Sequence, residues 1–208
     1  MEFASEMVVK SGLAGLRMTE VPTTLSPDGR SRPPHLRSWR DGWRHLRFLL
    51  LYSPRWLFFY PGLAALAVGL VLAAALLPGP LRVGAYTFDV DTLTYALGLV
   101  LIGTHITVFA VSAKVFGTQE GFLPPNPQFE RLFKHITLET GLLAGCTLLL
   151  AGAGILGYAI FLWHAAGFGA LSPTHMLRLT LPSATLLMLG VEVIFGSFFL
   201  SLLGLNRR

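Results

Sequence analysis

The chain has 208 residues, 53% hydrophobic and only 13% charged, with a mean hydropathy of +0.61; this excludes an ordinary soluble globular protein. Its net charge of +5 rests on arginines and lysines that abut apolar stretches, which points to lipid phosphate rather than nucleic acid as the anionic partner. The single cysteine, Cys146, rules out a disulfide within the chain.

The N-terminus does not read as a signal peptide. Glu2 and Glu6 stand where a cationic region belongs, and no apolar core follows before residue 48. Residues 2–17 predict a helix with Phe3, Met7, Leu13 and Leu16 roughly on one face. Residues 19–25 (TEVPTTL) predict a short strand, with Pro22 favouring an edge. One helix and one strand cannot bury a core, so residues 1–27 are expected to be the last elements of a larger domain.

Residues 28–55 form a basic juxtamembrane segment. Gly29-Arg30-Ser31-Arg32 is a turn whose two guanidinium groups and hydroxyl can fork onto phosphate oxygens, and Pro33-Pro34 stiffens the approach to the next helix. Over residues 36–50 two stripes run at helical spacing. Leu36, Trp39, Trp43, Leu46 and Leu50 make one, and Arg37, Arg40, Arg44 and Arg47 follow one residue behind. Such a helix lies in the membrane interface, rings among head groups and guanidinium groups on anionic phosphates. Ser53-Pro54 then breaks it.

Residues 56–205 carry four apolar stretches, about 56–77, 92–113, 140–163 and 179–203. A helix needs roughly 20 residues to cross a hydrocarbon core of about 30 Å, so the fold class is an all-α, four-span membrane protein. An even number of spans puts both termini on one side. That side collects fourteen of the sixteen Lys and Arg residues and leaves only Arg82 and Arg178 opposite, so both termini are expected in the cytoplasm. Residues 78–91 and 164–176 are then short outer loops, and residues 117–135 the longest inner one.

Within the spans, His105 and Glu192 are the polar outliers, at similar depth on two helices that run the same way. Intramembrane ionisable groups pair and avoid lipid, so the two side chains are expected to face each other, as a helix clamp or as a polar site. Asp89-Val90-Asp91 has the spacing of a metal-holding Asp-x-Asp, but on the outer side, and is read as a coincidence. Gly141, Gly145, Gly152, Gly154 and Gly157 suit close helix packing. His135, His164 and His175 have no ligand spacing, and no metal site or catalytic residue is assigned.

The stretch MEFASEMVVKSGLAGLRMTEVP resembles the end of the catalytic domain in membrane-associated glycosyltransferase family 2 proteins, the dolichyl- or polyprenyl-phosphate sugar transferases. DGRSRPPHLRSWRDGWRHLRFLLLYSPRWLFFYPG is similar to the basic segment and first span of a bacterial branch, and the likeness runs on to SFFLSLLGL. It covers essentially the whole chain, but only the family's C-terminal part. The resemblance implies sugar transfer from a nucleotide sugar to a polyprenyl phosphate at the cytoplasmic face of a bacterial inner membrane. The lipid phosphate oxygen attacks the anomeric carbon, and Mg or Mn on an Asp-x-Asp stabilises the departing diphosphate. It further implies that Arg30, Ser31 and Arg32 face those phosphates. The nucleotide-binding sheet, the metal-holding Asp-x-Asp and the base should precede Met1, so this chain alone is expected to be inactive and to hold no cofactor. Expected partners are membrane lipids, anionic head groups, polyprenyl phosphate, and a separate catalytic domain or further copies of the chain. Readings from other classes are a small four-helix transporter or flippase accessory working through His105 and Glu192, and a scaffold for a separate catalytic subunit.

Overall fold

The computed structural model describes residues 2–24, 29, 38–51, 53, 55–121, 123 and 137–204. It contains α1 (Glu2–Leu13), α2 (Ser38–Leu51), a π-helical turn (Arg55–Phe59) running into α3 (Tyr60–Leu76), β1 (Leu81–Val83), β2 (Tyr86–Phe88), α4 (Val90–Gln119), α5 (Leu138–Ala165) and α6 (Pro173–Gly204). Four of these helical stretches, Arg55–Leu76, Val90–Gln119, Leu138–Ala165 and Pro173–Gly204, are long and apolar enough to cross a membrane. Each includes one of the four expected spans almost entirely; the last three run past them at both ends.

Helix ends follow local chemistry. Gly15 (φ +68°) closes α1, with Leu16 N–H donating to Ser11 O. Thr137 caps α5 by accepting from Thr140 N–H at 3.3 Å. Pro182 lies inside α6, where it denies the Arg178 carbonyl its helical N–H.

The spans form a row: α3 packs on α4, α4 on α6, and α6 on α5. Small residues set the two outer contacts. A Cβ on Gly69 of α3 would stand 2.7 Å from Ala96 O, and one on Gly190 of α6 would stand 2.9 Å from Gly145 O. Gly141, Gly145 and Gly152 line the α5–α6 contact as expected, whereas Gly154 and Gly157 look into open space. Ser183, almost fully buried, donates to Gly152 O at 2.8 Å and ties those helices together. The apolar core (Ala73, Leu76, Leu93, Ala96 and Leu97, with Leu72 and Leu181) sits towards the hairpin end of α3, α4 and α6.

Two features depart from expectation. Residues 19–24 form no strand, because a strand needs a neighbour to take its backbone hydrogen bonds and none lies beside them among the described residues. Conversely, the loop expected over 78–91 holds an antiparallel hairpin that pairs Leu81 with Phe88 and Val83 with Tyr86. Its two-residue turn has Gly84 at φ +60°, in the first central position that a type II′ turn reserves for glycine.

Candidate functional site

Three groups of polar side chains stand out on this scaffold. The first is the basic helix α2. Trp39 is 90% exposed, Trp43 and Leu46 are exposed, and Arg40, Arg44 and Arg47 are exposed one step round the helix. No described part of the protein covers these rings. An amphipathic helix that leaves two indoles uncovered, directly before a membrane span, has the form of an interfacial helix. Arg55 continues the basic surface, its guanidinium 5.4 Å from the centre of the Tyr60 ring, which Trp56 also touches. Lys114 of α4 is close enough for the two like charges to act on each other. Arg30, Ser31, Arg32 and Arg37 lie outside the described residues.

The second group is the intramembrane pair. His105 Nδ1 and Glu192 Oε1 are 3.1 Å apart, so the structure brings together two residues 87 positions apart. Their setting differs from the bundle interior expected. The His105 side chain is 79% exposed and that of Glu192 19%, because the helices form a row and the pair lies on its open face. The two residues stand in a groove of about 730 Å³ between α4 and α6, lined mostly by apolar side chains such as Phe109, Met188 and Phe195, with Ser112 also on its wall. Gly196 lets α6 approach Val108 of α4, to 3.0 Å from where a Cβ would be.

The third group was not anticipated. Arg178, at the start of α6, donates through Nη1 to Leu76 O and, at 3.4 Å, to Leu77 O, and through Nη2 to Asp89. One guanidinium thus takes up carbonyls that the C-terminus of α3 leaves unpaired, and joins them to the residue that precedes α4. Its signal in the sequence was its isolation as one of two cations on the sparsely charged side. The contact also gives Asp89 an occupation other than metal binding. Among the described residues no three His, Cys, Asp or Glu side chains come together to hold a metal, so a divalent ion of the kind the resemblance implies finds no fitting donor set here.

Residues 111–204 match the model of the glycosyltransferase family 2 C-terminal transmembrane region. Over 205 residues the chain is 34% identical to the low-salt glycan biosynthesis hexosyltransferase Agl6 of Haloferax volcanii. The alignment takes in 98% of this chain and 48% of that protein, so the chain spans about half the length of the relative it matches. No solved structure matches it.

Proposed function

Because this chain carries a glycosyltransferase family 2 C-terminal transmembrane region, homologous to that part of a glycan-biosynthesis hexosyltransferase, we propose that it anchors such a transferase and presents its lipid acceptor. The acceptor is a polyprenyl phosphate of the dolichyl type. Its isoprenoid chain lies in the bilayer beside the spans. Its phosphate rests on the basic surface formed by Arg30, Ser31, Arg32, Arg37, Arg40, Arg44 and Arg47 at the cytoplasmic interface of a bacterial inner membrane. The observation that carries this reading is the exposed indole–guanidinium face of α2 directly before the first span. The rings fix the depth of the helix, and the guanidinium groups at that depth meet phosphate oxygens. The exposed apolar side chains of Phe3 and Met7 on α1 and of Leu16 just beyond it support the rest of the reading, since they suit a segment that packs against a catalytic domain. The nucleotide sugar and the divalent metal belong to that domain.

The test is an acceptor assay in membranes, with this chain joined to a family catalytic domain. Replacing Arg40, Arg44 and Arg47 together with Gln should raise KM for polyprenyl phosphate at least tenfold and leave KM for the nucleotide sugar unchanged. At about 1 kcal/mol for each basic residue near a lipid surface, three such losses would suffice. An unchanged acceptor KM would remove the basis of the proposal.

A further inference from the structure

The groove between α4 and α6 holds a feature that anchoring does not explain. His105 lies within the apolar stretch 92–113 of α4, eight residues from its inner end and thirteen from its outer one, about 12 Å and 20 Å at 1.5 Å per residue. An imidazole is far too short to reach the interface from there. Its ring nevertheless stands largely uncovered on the open face of the helix row. Hydrocarbon offers no partner for a polar atom, and ionisable groups at this depth face protein or water.

Hydrogen bonding narrows what covers the site. Nδ1 and Oε1 are used within the pair, and among the described residues Nε2 and the second carboxylate oxygen have no partner. In every state of the pair without net charge, whether imidazolium with carboxylate or imidazole with carboxylic acid, the two outer atoms, Nε2 and the second carboxyl oxygen, supply one donor and one acceptor. The face therefore presents one donor and one acceptor side by side, which makes it complementary to itself.

We propose that this face is an interface between two copies of the chain, related by a two-fold axis along the membrane normal. Rotation about that axis preserves depth, so His105 of each copy meets the partner's Glu192 at the level where each already pairs within its own chain. The result is a closed ring of four hydrogen bonds in which every polar atom is satisfied. The interface is isologous, as such dimers require. Phe109, Met188 and Phe195, exposed along the groove, supply the ridges that enter the groove of the other copy. Each copy leaves the same face open because its helices form a row, so the dimer follows from one sequence without a second protein. Such a dimer is independent of the sugar-transfer reading and stands or falls without it.

The test uses the whole chain in native membranes with Cys146→Ser. Met188→Cys should form an oxidative crosslink between two copies, while Leu143→Cys, exposed on α5 outside the groove, should not. The unmodified protein in mild detergent should show a protein mass of two 22.7 kDa chains by native mass spectrometry. His105→Leu and Glu192→Leu should each weaken dimerisation at least tenfold. Several results would overturn the proposal: a single-chain mass, a Met188→Cys crosslink no stronger than the Leu143→Cys control, a crosslink to a different protein, or full crosslinking in a folded His105→Leu chain. Should the leucine variants fail to insert, the crosslinking pair decides alone, since it leaves His105 and Glu192 intact.

Discussion

Arg178 is the residue on which the hairpin end of the molecule converges. Its side chain is only 12% exposed, and it holds the last carbonyls of α3 and the Asp89 carboxylate at once. Hydrogen bonds to a charged group contribute about 1.5–3 kcal/mol each, and those to the partly exposed Asp89 fall at the low end. Arg178→Ala removes all of these together and should destabilise the protein by about 3–5 kcal/mol, the range for removing one partner of a buried pair, read as a lowered midpoint of denaturant unfolding in detergent. Arg178→Lys, which keeps the charge but not the fork, should recover about half. Asp89→Asn should cost less than Arg178→Ala, because the amide oxygen still accepts and the α3 carbonyls keep their donor. At this scale legibility differed by residue. His105 and Glu192 were visible because an ionisable group in an apolar run is conspicuous and equal depth suggests a pair. Which face of the row they occupy depends on how four helices associate, and one-dimensional spacing does not contain that. Asp89 was not assigned a metal, but its actual role was not legible. Its Asp-x-Asp spacing is local, while its partner is 89 residues away.

Glycines decide which helices become neighbours, and the same residue type plays two opposite parts. At Gly69 a methyl group would press on the Ala96 carbonyl, so Gly69→Ala must push α3 and α4 apart. Overpacking of this kind costs about 1–3 kcal/mol. At Gly154 a methyl group meets nothing within 4 Å, so Gly154→Ala is free to gain the helix preference of alanine, about 0.5–1 kcal/mol. The two substitutions should shift Tm in opposite directions, and equal shifts would mean that the contact between α3 and α4 is not as described. The apolar elements were legible because a span of about twenty residues is a signal in itself. Small elements were less so. The strand expected at residues 19–25 had the right composition, but its described residues 19–24 have no neighbouring strand among the described residues, and pairing, not propensity, makes a strand. The hairpin LRVGAYTF had an alternating pattern and a glycine where its turn needed one, and went unread because it is short and lies between two spans.

For the whole molecule, the arrangement of charge and the arrangement of helices point to one topology. Arg82 and Arg178 are the two cations at the hairpin end, and Asp89 and Asp91 balance them there. Arg178 is moreover bound to Asp89 and to carbonyls, so it contributes little free positive charge. Among the described residues, Lys10, Arg17, Arg40, Arg44, Arg47, Arg55 and Lys114 belong to segments at the other ends of the spans, and the sequence assigns the remaining seven to the same side. We propose that such an imbalance retains the basic end in the cytoplasm, because moving arginines across a bilayer during insertion is strongly disfavoured. The first crossing then carries the hairpin to the opposite surface. In a Cys146→Ser chain, Thr87→Cys in the exposed strand β2 should react with a membrane-impermeant maleimide added to intact cells. Glu20→Cys, exposed just beyond α1, should react only after the membrane is opened. Reaction of both from the same side would require an even number of crossings between them, and the helix Arg55–Leu76 would then lie within the membrane without spanning it. The reverse pattern would keep all four crossings but place the arginine-rich α2 on the outer surface. A cytoplasmic acceptor phosphate could not reach it there, so this one labelling experiment bears on the proposed function as well as on the topology.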